Sequence, residues 1–191
     1  ISYINLYFTL YGLEAEDLCY ARLLANLLGA MDTEKYTYSE LSRRSNAQTG
    51  GITFNVSAFG SKDDDTSYIP VMTVKGKALT SRVAALTDLL GQMCGHTAFS
   101  DVQRLKELLK EEKSGWDMSV FARGHELIMT RLLSYFSPIE KFREQSGLTY
   151  YYFLSKLVKG FDSSSGEIME RLQSVAGRIF MDSISCLHSA I

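Results

Sequence analysis

The sequence predicts an α+β fold, a mostly antiparallel sheet with helices layered on one face. Three observations lead there. Ile4, Leu6, Phe8 and Leu10 alternate with Tyr3, Asn5, Tyr7 and Thr9, a period of two that makes a strand with one aliphatic face. Ile52, Phe54, Val56 and Ala58 repeat the pattern after Gly50-Gly51. From Leu79 onward apolar residues recur at helical spacing almost to the end of the chain. Strand, helix, helix, strand, strand, several helices and a last strand is the order expected.

Taken in order, Gly12 ends the first strand. Residues 17 to 28 are dense in Leu and Ala without a breaker, which reads as a largely buried helix stopped at Gly29. Thr37-Tyr-Ser-Glu40 has capping-box spacing and starts a helix over about 38–47. Gly50-Gly51 breaks it and the second strand follows. Ser61-Lys-Asp-Asp-Asp-Thr66 is a polar turn, and Tyr68 to Val74 returns as a third strand, paired with the second as a hairpin. Pro70 favours an edge position or a bulge, because it has no N–H to give a ladder. Leu79, Val83, Leu86, Leu90 and Met93 share a helix face. Ser100-x-x-Gln103 resembles another capping box, before Val102, Leu105, Leu108 and Leu109. The opposite face, from Lys106 to Lys113, alternates charges at i,i+4 and reads as solvated. Ser114-Gly115 allows a break. A helix over about 117–137 then ends at Pro138. Tyr150, Phe153, Leu154 and Leu157 mark a further helix, Ser163-Ser-Ser-Gly166 a turn, and Ile168, Leu172, Val175 and Ile179 the last helix. Ile184 to Ile191 reads as a strand.

Bulk properties exclude several function classes. The chain has 191 residues, 46% apolar and 22% charged, enough for one domain core spanning 1–191. A net charge of -2 gives no case for nucleic acid or an anionic membrane. There is no apolar run long enough for a membrane span. ISYINLYFTLYGL lacks a basic n-region and is a poor signal peptide; a start on strand sequence implies a piece of a longer polypeptide. Cys19, Cys94 and Cys186 are odd in number and form no C-x-x-C, as expected of small apolar residues in a reducing compartment. Asp63-Asp64-Asp65 lacks the spaced oxygens, Gly and distal Glu of a calcium loop, so a solvated turn is the reading. No P-loop, G-x-S-x-G or G-x-G-x-x-G occurs. Tyr150-Tyr-Tyr-Phe153, without a basic patch, reads as packing rather than base stacking.

Three pieces carry a resemblance: YINLYFTLYGL, then LLANLLGAMDTEKYTYSELSRRSNAQTGGITFNVSAFG, and SGLTYYYFLSKL at 146–157. In this order they resemble the inverzincin (insulinase or pitrilysin-type) zinc metallopeptidases, most closely the presequence-protease branch. The resemblance implies an inverzincin metallopeptidase-like domain. In that family two halves close around a peptide, and the first domain carries zinc on H-x-x-E-H plus a distal Glu. This chain resembles the third domain, the non-catalytic associated domain. The H-x-x-E-H window falls on Leu23-Leu-Ala-Asn-Leu27, where no side chain binds zinc. His96, His125 and His188 lie far apart in sequence, and a catalytic zinc needs three converging ligands. Arg143-Glu-Gln-Ser-Gly-Leu-Thr-Tyr150 superficially matches an R-x-x-x-x-L-G-Y stretch that places Arg and Tyr at the scissile bond in some members. The match to the associated domain's own G-L-x-Y-Y-x-F-L segment is better, so Arg143 and Tyr150 read as a loop residue and a packing tyrosine.

No catalytic, cofactor or metal residue is therefore expected in this chain, and zinc is expected in the catalytic domain of a full-length protein. The implied function is a non-catalytic wall of a peptide-degrading chamber, docked on the catalytic half and the final domain, with peptide as the substrate of the whole. The isolated piece is expected to expose an apolar patch and to self-associate. The implied setting is bacterial cytoplasm, an organelle matrix being the alternative. The competing reading is a stand-alone interaction scaffold on the same fold, without peptidase activity.

Overall fold

A computed structural model describes residues 1–62, 64, 67–181 and the backbone of 184–190. The elements are β1 (Ser2–Thr9), α1 (Ala15–Leu27), α2 (Tyr38–Gln48), β2 (Ile52–Gly60), β3 (Tyr68–Ala78), α3 (Val83–Gly95), α4 (Val102–Leu133), α5 (Pro138–Gln145), α6 (Leu148–Phe180) and β4 (Ile184–Ala190). The strands form an open sheet in the order β2-β3-β1-β4, every pair antiparallel.

This corrects the expected fold class. The domain is predominantly helical and carries a small sheet; it is not a sheet-dominated fold with helices layered on one face. Helices α4 and α6 run 32 and 33 residues, each nearly as long as the four strands together, at 8, 9, 11 and 7 residues. The reason is that breaker residues did not break. Ser114-Gly115 lies inside α4, whose non-helical residue is instead Arg123 (φ -126, ψ 28). Ser163–Gly166 lies inside α6, bent only at Ser164 (φ -130, ψ 16). There the Ser163 and Ser164 hydroxyls both donate to the Gly160 carbonyl at 2.9 Å, so a carbonyl near the bend stays satisfied. Buried Leu154, Phe161, Ile168 and Leu172 hold one continuous stripe to the core across the bend. Tertiary packing thus overrides local propensity.

Other local readings shift for definable reasons. Thr37 caps α2, its Oγ1 accepting from Glu40 N at 3.3 Å. The cap of α4 is Asp101, not Ser100: the Asp101 carboxylate accepts from Arg104 N at 2.9 Å. Pro138 does not merely end a helix; it occupies the first turn of α5, where its missing N–H costs nothing. Pro70 sits on the interior strand β3 rather than an edge. It lies just beyond the last β1 pair, Thr9↔Val71, and the Leu10 carbonyl that would have taken its N–H accepts from Leu13 N at 3.3 Å instead. The Asp63 and Asp65 part of the expected polar turn lies outside the described residues. Gly29, at φ +83, provides the left-handed step after α1. One core joins Ile4, Phe8, Met72 and Val74 of the sheet to Leu23 and Leu24 of α1 and Leu154 and Leu172 of α6.

Candidate functional site

Helix α1 presents the residues of the H-x-x-E-H window to the interior. Leu23, Leu24, Ala25 and Leu27 are all at most 6% exposed and belong to the core. Asn26, half-buried, is the polar member, and it starts a knot of three helices. Its Nδ2 donates to Glu112 Oε1 of α4 at 2.7 Å, and Trp116 Nε1 donates to the same oxygen at 3.1 Å. The Tyr150 hydroxyl of α6 lies 3.4 Å from Asn26 Nδ2 and 3.5 Å from Glu112 Oε1. Glu112, expected on a solvated face, is therefore a half-buried acceptor shared by two donors. Burial, then the Glu112 charge, pushes the Tyr150 phenol well above its ordinary value. The knot supplies one carboxylate, an amide, an indole and a phenol held neutral. That set ties α1, α4 and α6 together and offers no set of zinc ligands.

The histidines stay apart. His96 Nδ1 contacts Glu34 Oε2 at 3.0 Å near the surface, and His125 projects from α4, 79% exposed, beside Glu126. The side chain of His188 lies outside the described residues. Among the described residues no group of three or more His, Cys, Asp or Glu side chains is placed to hold a metal. Arg143 pairs with Glu140 one turn earlier on α5 and is half exposed, whereas Tyr150 is fully buried. Each thus has separate partners.

Two cysteines are described. Cys19 is 2% exposed, and burial, then the charges of Glu144 and Glu16, pushes its thiol up to about 12. Burial alone pushes Cys94 up to about 12. Neither supplies thiolate near neutrality. Brief iodoacetamide treatment of the native protein at pH 7.5 should leave both unmodified, with labelling only after denaturant, as peptide mass spectrometry would read. Rapid native labelling would contradict the burial of Cys19 and, for the half-buried Cys94, its raised thiol pKa.

The surface holds two features that sequence reasoning did not locate. Beyond Glu111, α4 has no fully buried residue, yet it carries Met118, Phe121, Ile128, Met129 and Leu132, all more than half exposed, and leads to Tyr135 and Phe136 at 73% and 80%. A cleft of ≈ 720 Å³ opens beside that turn. On its wall the buried Glu144 carboxylate accepts from Arg131 Nη1 at 2.7 Å, Thr149 N at 3.1 Å and Thr149 Oγ1 at 2.6 Å, fixing the α5–α6 corner. A second cleft, of ≈ 440 Å³, runs between α1, α2 and the outer strand β2.

Residues 1–157 match the family model of the peptidase-associated domain of the M16 peptidases, subfamily C, and the chain belongs to that family. It is thereby the associated, non-catalytic part of an M16-type arrangement. It is 30% identical over 181 residues to Protein HypA of Clostridium perfringens, covering 94% of this chain and 18% of that one. It is 25% identical over 181 residues to the mitochondrial presequence protease of Drosophila melanogaster, covering 94% of this chain and 17% of the relative. The chain thus spans less than a fifth of the length of these relatives. Among solved structures, a mutant of the ferredoxin protease FusC in complex with Arabidopsis ferredoxin matches with a TM-score of 0.48 and 16% identity, over 98% of this chain and 18% of that chain.

Proposed function

We propose that this chain is the third, non-catalytic domain of a zinc metallopeptidase of the presequence-protease branch. It forms part of the wall of the peptide chamber and docks on the catalytic half and the final domain. Zinc and catalysis belong to the catalytic domain of the full-length protein, and neither Arg143 nor Tyr150 acts on substrate. The observation that carries this reading is the exposed apolar row on the second half of α4. An apolar helix face of this length is unusual on a monomer and fits a surface covered by a neighbour. The relatives, more than five times as long, supply the remaining polypeptide. Bacterial and organellar members among them fit a cytoplasmic or matrix setting.

The test compares the full-length gene product with this chain for zinc content and for cleavage of one unstructured peptide. Zinc and chelator-sensitive cleavage in the full-length protein alone is the expected result. Chelator-sensitive cleavage by the isolated chain would overturn the reading. The apolar row makes a second prediction. The isolated chain should self-associate at roughly tens of micromolar, and the double variant Phe121→Glu, Phe136→Glu should weaken that association about tenfold or more. Sedimentation equilibrium reads this directly. An unmodified chain that stays monomeric at millimolar concentration would show that the row needs no cover.

A further inference from the structure

A neighbour that covers the apolar row of α4 must also cover a charge. Tyr135 and Phe136 end that row and line the ≈ 720 Å³ cleft, so the two surfaces are continuous. Another wall of the cleft is α5. Its Pro138, Lys141 and Gln145 line the cleft at i, i+3 and i+7, one face of the helix, while Phe142 joins the core. Three charged side chains line the cleft: Arg131, Lys141 and Glu144. Arg131 and Glu144 answer each other. Glu144, 4% exposed, takes Arg131 Nη1 at 2.7 Å and two donors of Thr149, so its carboxylate is committed. Lys141 is exposed and makes no ion pair or side-chain hydrogen bond among the described residues. In water that ammonium is solvated. Beneath a neighbour it loses its water, and an ammonium taken out of water without an anion is strongly penalised.

Gln145, one turn beyond Lys141, keeps its Oε1 enclosed without a hydrogen-bond partner. Its amide is therefore not locked and can turn to offer Nε2 beside the ammonium. We infer, resting on the reading of the row as a covered surface, that the cleft receives a protein segment of a neighbouring domain of the parent polypeptide, one in which a carboxylate stands beside apolar side chains. The carboxylate accepts from Lys141 Nζ and Gln145 Nε2, and the apolar side chains pack on Tyr135 and Phe136. Charge complementarity at one point and apolar contact around it fix the register of the docked surfaces. A small anion would answer Lys141 and leave both aromatic rings in water. A second copy of this chain fits less well, because the carboxylates of its own row, Asp117 and Glu126, already pair with Lys113 and Arg123. The relatives have more than four-fifths of their length outside the matched region, ample to supply the segment.

The test is zero-length cross-linking of the full-length gene product. A carbodiimide joins an ammonium to a carboxylate only where the two touch, and peptide mass spectrometry identifies the pair. Lys141 should be joined to an Asp or Glu outside residues 1–191, in a product of monomer mass. Lys141→Gln should lose that product. Lys141→Glu should lose it too and should raise hydroxyl-radical labelling of Tyr135 and Phe136 about threefold or more, because two carboxylates then meet in the cleft. Lys156→Glu, at an exposed lysine of α6 that does not line the cleft, should change neither readout. The cross-link on the unmodified protein needs no variant, so a folding defect cannot mimic it. The isolated chain at about 1 μM, below its expected self-association, gives the reference labelling. Rings protected in the full-length protein, with Lys141 joined to no outside carboxylate, would overturn the inference and leave the covered row standing. Rings labelled as fast in the full-length protein as in the isolated chain would overturn both. Lys141 joined to a carboxylate of another copy, read by mixing isotope-labelled and unlabelled protein, would overturn the inference in favour of self-docking.

Discussion

Tyr150→Ala should lower the stability of the chain by about 3–5 kcal/mol, the range for emptying a buried aromatic site. Its ring is fully buried, edge-on to Trp116 at 5.6 Å and stacked near Phe153 at 6.1 Å. Truncation leaves a cavity where α1, α4 and α6 meet, and these helices cannot collapse into it without breaking the Asn26–Glu112 bond. Tyr150→Phe should cost only about 1 kcal/mol, because its hydroxyl contacts of 3.4 and 3.5 Å are long and Glu112 Oε1 keeps Asn26 and Trp116. Arg143→Ala should fall within about 0.5 kcal/mol, since its exposed pair with Glu140 contributes little. Urea unfolding of the three variants reads the series. The ordering separates a packing tyrosine from a catalytic one, which would tolerate truncation and fail in activity instead. A Tyr150→Ala chain within about 1 kcal/mol of the parent would mean that α6 is not seated as described.

That series also shows where sequence reasoning reached and where it stopped. The three strands β1, β2 and β3 were legible because alternation is local: each core residue announces itself two positions from the last. The cap at Thr37 was legible for the same reason. Helix α5 was not, because IEKFREQ places only Phe142 and Glu144 inside and shows no apolar stripe. The length of α4 and α6 was misjudged because Ser and Gly weigh against a helix by about 1 kcal/mol or less each, and buried leucines on both sides outweigh that. This misjudgement produced the wrong fold class. Tyr150 was recognised as packing from its segment. Its partners were not, since Asn26 and Glu112 lie 124 and 38 residues away. Glu112 looked like a surface carboxylate because its neighbours on α4 are charged at i,i+4. Only the third dimension reveals that α1 and α6 close over it.

Asp17→Ala should cost about 3 kcal/mol, and its cause differs from that of the tyrosine. Asp17 is 1% exposed in the first turn of α1. Arg178 Nη1 donates to its Oδ2 at 2.6 Å, and Arg171 Nη2 lies 2.6 Å from Oδ1, a charge contact without hydrogen-bond alignment. Arg178 Nη2 also donates to the Gly12 carbonyl at 2.9 Å. The pair thus pins the β1–α1 turn and the start of α1 to the end of α6, across 161 residues of chain. Removing one partner of a buried ion pair costs about 3–5 kcal/mol when the remaining charge is stranded. Here both arginine side chains are 42% exposed and can rehydrate, which places the loss near the lower end. The reverse truncation should be milder still, because in Arg178→Ala the buried carboxylate keeps Arg171. A double-mutant cycle between Asp17 and Arg178 isolates the coupling, expected at about 1.5–3 kcal/mol for a charged hydrogen bond. Coupling near zero would show that α1 and α6 are held by their leucines alone. A coupling of the expected size would make the ends of the chain's first and last helices one cooperative unit, the rigid base from which the exposed half of α4 projects.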